Sequence, residues 1–266
     1  MRTLRAYCCL ILVITFSICR GVPASSIAQR AIRVMTYNIH HGEGTDGKID
    51  LARIADLIRR EQADIVALQE VDRGVQRTAR RDLIGELAAL TKMDYAFGKN
   101  IDYQGGDYGN AALTRFPIVK QQNHHYKMLR PGEQRGLLQL VLKIEDKELL
   151  LLNTHIDFRQ DDSERLMNVA EINEILKQYA RLPVIICGDF NDTPGSLTHQ
   201  RLKESSSDVW ELVGQGDGFT FSSTRPQKRI DYVFVGKSRS IVPLKAWVVQ
   251  SNASDHLPLV AEFRFQ

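Results

Sequence analysis

The chain has few cysteines, and their positions exclude a disulfide framework. Three of the four cysteines in its 266 residues, Cys8, Cys9 and Cys19, lie close to the N-terminus. Only Cys187 remains in the rest of the chain, within an apolar run that begins at residue 184. A chain of this length does not need disulfides to fold, and a thiol in an apolar run is expected to be buried and inert.

The chain also lacks an apolar run long enough to span a bilayer. The N-terminus carries two arginines and then an apolar stretch over residues 6–18, shorter than the ~20 residues that a membrane helix needs. Residues 1–28 are therefore predicted to be a signal peptide, cleaved after Ala24 or Ala28, with export to the periplasm or the medium. The alternative is an uncleaved N-terminal membrane anchor.

The chain has no excess of positive charge once this segment is removed. The chain has 35 Lys and Arg against 32 Asp and Glu, and the three extra basic residues are Arg2, Arg5 and Arg20 of the predicted signal. The processed chain is formally neutral, so it lacks the electrostatic footprint of a dedicated duplex-DNA binder. A local basic patch is still allowed. Arg73 and Arg77 are predicted to bind an anionic substrate.

No linker, repeat or low-complexity tract interrupts the chain, so residues 29–266 are predicted to form a single domain. Asp50 and Asp82 are predicted to cap two early helices, and Ser163 to cap the longest helix. Apolar runs predict the strands, at residues 32–37, 65–68, 137–144, 149–156, 183–187, 230–235, 241–249 and 259–265. Two packed sheets covered by helices would accommodate this pattern.

Common phosphate and calcium motifs are absent. There is no P-loop, and the segment after Asp189 resembles the start of a calcium loop only until Pro194 and Gln200 occupy its sixth and twelfth positions. Most remaining histidines, namely His40, His41, His124, His125 and His199, are predicted to be surface or loop residues, with His41 near enough to Asn38 to touch a substrate.

Polar side chains follow the ends of several predicted strands. Asn38, Glu70 and His155 each come at or just after an apolar run, and the pair Asp255-His256 precedes the last strand. Each of these residues alone is more often a turn, a cap or a structural histidine. Together, carboxylates, amides and histidines from rigid strand ends indicate metal-assisted hydrolysis.

Seven short motifs, in order, resemble the endonuclease/exonuclease/phosphatase superfamily. They are MTYNI at 35–39, LQEV at 68–71, YGN at 108–110, NTH at 153–155, GDFN at 188–191, IDY at 230–232 and SDH at 254–256. The resemblance covers residues 32–265. It implies a four-layer α/β/β/α sandwich and a divalent-metal-dependent phosphoesterase.

The resemblance also implies roles for the metal side of the site. Glu70 would bind the cation, and Asn38 would be a second ligand or would help to hold the phosphate. Asp255 would bind the same or a second cation. Because these ligands are oxygens, the expected cofactor is Mg²⁺ or Mn²⁺. Asn110 would contact the substrate.

For the acid–base side, the resemblance implies that Asp189 orients or deprotonates the attacking water and that Asn191 holds the phosphate. His256 would meet the phosphoryl oxygens, with Asp231 fixing its tautomer. His155 would protonate the leaving oxygen or bind the transition state. The choice of general base between Asp189 and His256 stays open.

The motifs do not select a substrate. A small or lipid-head-group phosphate ester is the first expectation, and a secreted nuclease acting on DNA or RNA is the alternative. A catalytically inactive binding module is disfavoured because Glu70, Asp189 and His256 are all present. The protein is expected to be a monomer.

Overall fold

The computed structural model describes residues 31–237 and 240–266. The predicted signal peptide lies outside the described residues, so its cleavage and the protein's export stay predictions. The twelve strands are β1 Ile32–Asn38, β2 Ile65–Arg73, β3 Asp94–Tyr103, β4 Gly106–Thr114, β5 Ile118–His125, β6 Gly136–Ile144, β7 Lys147–His155, β8 Val184–Asp189, β9 Ser206–Asp208, β10 Asp231–Gly236, β11 Ile241–Val248 and β12 Leu259–Phe265. The α-helices are α1 Leu51–Arg60, α2 Leu83–Thr91, α3 Ser163–Gln178, α4 Leu197–Leu202 and α5 Val209–Val213.

The strands form two six-stranded mixed sheets. The order is β11-β12-β1-β2-β4-β3 in the first sheet and β5-β6-β7-β8-β10-β9 in the second. Each sheet has one parallel pair at its centre, β1 with β2 and β7 with β8, and all its other pairs are antiparallel. The two sheets therefore repeat the same arrangement around their central strands.

Three apolar clusters define the layers. One joins the inner faces of the two sheets, with side chains such as Val34 and Leu151. The second packs α1 and α2 on the outer face of the first sheet, and the third packs α3 and α4 on the outer face of the second. The predicted four-layer α/β/β/α sandwich is confirmed. Within the described residues, no helix combines the length and apolar character that crossing a bilayer requires.

Two of the three predicted helix caps are confirmed. The Asp50 side chain accepts hydrogen bonds from the first-turn amides of α1, and Asp82 accepts one from the Gly85 amide of α2. The prediction for α3 was wrong, because Ser163 is the first helical residue. Asp161 instead accepts hydrogen bonds from the amide and hydroxyl of Ser163, so the polar residue just upstream anchors the chain as it enters the helix.

The two parallel pairs bring their carboxyl ends to one rim of the sandwich. Asn38 pairs in register with Gln69 in the first sheet, and His155 with Asp189 in the second. Several hydrogen bonds cross between the sheets there, including one from Asn38 Nδ2 to Asp189 Oδ2 at 3.0 Å and one from Gln69 Nε2 to Asn153 Oδ1 at 2.7 Å. The candidate site lies at this rim because parallel strands end together.

Candidate active site

His256 and Asp231 form a buried pair at the start of β10. His256 Nδ1 lies 2.9 Å from Asp231 Oδ2, and neither residue is more than 5% exposed. Burial acts to lower the pKa of His256, but the carboxylates of Asp231 and Asp189 outweigh burial and raise the pKa. The imidazole is therefore held as an imidazolium at neutral pH.

Asp189 lies at the centre of the polar residues. Its Oδ2 accepts a hydrogen bond from Asn38 Nδ2 and lies 3.7 Å from His256 Nε2. Its Oδ1 accepts a hydrogen bond from the Asn191 amide at 2.9 Å. Burial and the neighbouring Asp231 carboxylate raise the pKa of Asp189. A carboxylate with a raised pKa accepts a proton more readily than an ordinary aspartate.

His155 is held beside Asn191. Asn191 Nδ2 donates hydrogen bonds to the Ile156 carbonyl at 3.1 Å and to His155 Nε2 at 3.0 Å. Burial, together with the positive charges of Arg135 and His256, lowers the pKa of His155 well below its ordinary value. This neutral imidazole suits a binding role better than the acid role that the resemblance allowed, and both roles stay predictions.

Glu70 is presented by an irregularity in β2. The register of β2 with β4 shifts between Leu68 and Val71, and Glu70 has a left-handed φ of 58°. A bulge of this kind turns a side chain away from the regular strand direction and is common beside active sites. Asn38 Nδ2 donates to Glu70 Oε1 at 2.9 Å. The structure thus brings together Asn38 and Glu70 as predicted.

Asp255 lies beside His40. Its Oδ1 is 4.0 Å from His40 Nδ1, and its side chain is 43% exposed. Among the described residues, His40, His41 and Glu70 form a group whose ligand atoms all lie within 4.8 Å of one another. The prediction that Asp255 binds a cation stays a prediction, and two histidines lie nearer to Glu70 than the sequence indicated.

This donor set fits a divalent cation. Glu70 offers a carboxylate. Within the part of the chain that the structure describes, the amide oxygen of Asn38 accepts a hydrogen bond only from the His40 backbone. Asp255 adds a half-exposed carboxylate that can turn toward a ligand. Carboxylate and amide oxygens are the ligands that hard divalent cations prefer.

The predicted substrate-binding residues all have partners. Arg77 donates twice to the buried Asp72 carboxylate, at 2.8 Å each, and stacks on the Tyr103 ring. Arg73 bonds Asp82 at 3.2 Å. Asn110 Nδ2 donates to the Gly136 carbonyl at 3.0 Å. The contacts of Arg73, Arg77 and Asn110 with a substrate stay predictions.

Arg135 is a site residue that the sequence did not reveal. It directly precedes β6, where Gly136 is held by Asn110 and by Thr154, the neighbour of His155. Arg135 is 6% exposed, it pairs with Glu133 at 3.0 Å, and its buried Nε has no partner. Its positive charge is one of the causes that lower the pKa of His155. A lone arginine before an apolar run carries no signal in one sequence.

His199 was misjudged as a surface or loop residue. It is 5% exposed and lies 2.9 Å from Asp208, which also pairs with Arg229 at 2.7 Å. Since the Gly195 amide donates to His199 Nδ1, the Nε2 atom carries the proton and donates to Asp208. This cluster is a structural network outside the candidate site.

The fold and the site together define a hydrolase of phosphate esters. Two sheets present carboxylates, amides and an imidazolium at one rim, and this arrangement offsets the charge of a phosphoryl group during attack by water. The chain belongs to the endonuclease/exonuclease/phosphatase family, whose sequence model matches residues 35–256.

Relatives and solved structures agree with this assignment. The YbhP protein of Escherichia coli K12 is 29% identical over 251 residues, covering 88% of this chain and 96% of YbhP. A 5′-tyrosyl-DNA phosphodiesterase of Caenorhabditis elegans is 28% identical over 203 residues, covering 72% of this chain and 51% of that protein. The fold is similar to that of a mannosyl-6-phosphatase of Bacteroides thetaiotaomicron, with a TM-score of 0.75, 21% identity, and coverage of 88% of this chain and 100% of the other.

Proposed function

We propose that this protein is a divalent-metal-dependent phosphoesterase that acts on a small phosphate ester or a lipid head-group. The observation that carries this proposal is that three of the four arginines following Glu70 are already paired with carboxylates: Arg73 with Asp82, Arg77 with Asp72 and Arg81 with Glu86. A long polyanion gains affinity by neutralising many phosphates with free cations. These paired residues supply little of that free charge.

A small cavity beside the metal side of the site supports the same conclusion. It measures about 140 Å³ and is lined by Arg77, Ile101, Tyr103, Tyr108 and Glu133. The Glu70 charge contributes to raising the pKa of both Tyr108 and Glu133, after burial as the main cause, so the cavity lies near Glu70. Its volume is below the roughly 300–1,000 Å³ of drug-sized ligand sites. It suits a compact polar group.

The protonation states favour Asp189 as the general base. His256 is held protonated by Asp231 and therefore cannot take a proton from water. Asp189 has a raised pKa and accepts that proton while the oxygen of water attacks phosphorus. The P–O bond to the alcohol breaks on the opposite side, and solvent protonates the departing oxygen, since His155 is neutral.

Other residues stabilise the phosphoryl oxygens. The His256 imidazolium supplies positive charge on one side. Arg135, with its free Nε, supplies a second positive group near His155. When bound, the cation held by Glu70 and Asn38 adds further positive charge at the phosphoryl group.

The test is a panel of substrates measured across salt concentration. Sugar phosphates, glycerophosphodiesters and phospholipid head-groups are compared with plasmid DNA and RNA, with Mg²⁺ or Mn²⁺ and with EDTA. We expect hydrolysis of a small ester that EDTA abolishes and whose kcat/KM changes only mildly with salt. Activity retained in EDTA would overturn the metal mechanism. Plasmid nicking that collapses at high salt and is absent from a His256→Ala control would establish the nuclease alternative.

A further inference from the structure

His41 has one ring nitrogen that nothing in the described protein satisfies. The residue is 7% exposed, and its Nδ1 is buried without a hydrogen-bond partner. Its Nε2 lies 3.4 Å from Glu43 Oε2. When one imidazole nitrogen donates to a carboxylate, the other keeps a lone pair, and this is the usual arrangement of a histidine that binds a metal.

The neighbours of His41 complete a group of ligands. A nitrogen of His40, a nitrogen of His41 and a carboxylate oxygen of Glu70 all lie within 4.8 Å of one another. The two imidazole rings are 4.4 Å apart between centroids.

We propose that the metal site of this protein includes imidazole nitrogens from His40 and His41 beside the Glu70 carboxylate, and that it therefore selects Mn²⁺ or a later transition ion over Mg²⁺. Imidazole is a poor ligand for Mg²⁺, which demands oxygen donors and gives up its water reluctantly. Affinity at mixed nitrogen and oxygen sites instead rises along the series from Mn²⁺ to Cu²⁺, and falls again at Zn²⁺. The inference rests on the proposed metal-dependent function, because it concerns the same cation.

Glu43 is a positioning residue in this scheme. It acts through His41 by holding Nε2, and it is not expected to touch the cation. Losing such a partner weakens metal affinity by about 10- to 100-fold in known sites. Glu43→Gln should therefore weaken Mn²⁺ binding and leave Mg²⁺ binding nearly unchanged.

The experiment measures metal binding directly and does not depend on activity. Isothermal titration of metal-free protein with MnCl₂ and MgCl₂ should give at least tenfold tighter binding of Mn²⁺. Electron spin-echo spectroscopy of the Mn²⁺-loaded protein should show coupling to imidazole ¹⁴N. His40→Gln, a change at a half-exposed residue, should lower Mn²⁺ affinity about tenfold, as one lost ligand. His125→Gln, which changes an exposed histidine outside the cluster, is the matched control and should have no effect.

The outcomes separate this inference from the proposed function. Absence of ¹⁴N coupling in saturated wild-type protein, or equal affinities for the two ions, would overturn the inference even if EDTA abolishes hydrolysis. Nitrogen coupling without hydrolysis of any phosphate ester would support the inference and overturn the proposed function. Should His41→Gln fail to fold because the residue is buried, the wild-type spectrum and His40→Gln decide the question.

Discussion

The site has two halves: one contains Glu70, His40 and His41, and the other contains Asp189, Asp231, His155 and His256. The backbone positions the side chains of the two halves by different means. Glu70, His40 and His41 all have left-handed backbone, with φ of 58°, 44° and 44°, and lie outside regular pairing. Asp189, Asp231 and His155 end or begin regular strands. The first half aims its ligands through backbone strain, whereas the second half uses the ordinary geometry of strand ends.

The two halves also differ in their electrostatics. The Asp255 and His40 side chains are 43% and 36% exposed, so solvent reaches the half that we assign to the cation. Asp189, Asp231 and His256 are at most 5% exposed. Burial and the like charge of Asp231 raise the pKa of Asp189, and the opposite charges of Asp231 and Asp189 raise the pKa of His256 against the effect of its burial. An open half suits an ion that must enter from water. A buried half suits groups whose pKa values must be displaced.

The largest effect is expected in the buried half. His256→Gln removes the imidazolium and should lower kcat about a thousandfold, within the range for a catalytic proton or charge donor. Metal affinity should change less than threefold, because His256 is not a proposed ligand. Asp231→Asn should lose much of the same rate, and the double variant little more than the worse single variant. Steady-state kinetics test this, and additive losses would show that the two residues act separately.

In the solvent-exposed half, substitution of Glu70 should change the metal requirement more than it changes kcat. Glu70→Gln keeps an oxygen for Asn38 but removes the charge that we expect to hold the cation. The metal concentration for half-maximal activity should rise at least tenfold, while kcat at saturating metal falls less than it does for His256→Gln. A metal titration of activity, with circular dichroism as the fold control, measures this. Unchanged metal dependence would remove Glu70 from the cation site.

Arg135 carries a positive charge near His155, and its loss should produce an intermediate effect. Arg135→Gln should lower kcat/KM about tenfold, which is about 1.4 kcal/mol of lost transition-state binding. Arg135→Lys should recover part of the lost kcat/KM, because lysine keeps the positive charge but lacks the planar guanidinium group. Arg130→Gln is the matched control, because it removes a positive charge from the same loop, where Arg130 pairs with Asp161. It should leave kcat/KM unchanged. Equal losses for Arg130→Gln and Arg135→Gln would point to loop charge alone.

The last effect concerns the pH dependence of stability and not catalysis. Burial disfavours the charged form of His256, but Asp231 and Asp189 outweigh it and raise its pKa to about 10 from 6.5. Its contribution to the free energy of unfolding is therefore complete below about pH 6.5 and declines as pH rises toward about 10, by at most about 1.4 kcal/mol per pH unit. Urea denaturation from pH 7 to 10 should show a steeper loss for wild type than for His256→Gln. Parallel curves would contradict the raised pKa.

Local sequence patterns determined much of the architecture. Asp50 and Asp82 cap helices because a short carboxylate accepts hydrogen bonds from first-turn amides wherever the chain turns into a helix. Apolar runs placed eight of the twelve strands, all except β3, β4, β5 and β9. The ordered motifs placed Asn38, Glu70 and Asp189 within one site. These features depend on residues close in sequence or on motifs whose order is preserved, so one sequence suffices to predict them.

Tertiary structure decided the features that depend on distant residues. The strand predicted over residues 65–68 continues to Arg73, because a bulge at Glu70 lets β2 resume pairing with β4. His199 is buried because Asp208 and Arg229 meet it from other segments. Arg135 and His41 enter the site only because β6 begins beside the end of β7 and the turn after β1 folds back on β2. Charge, burial and free lone pairs are properties of the packed molecule, and no local pattern carries them.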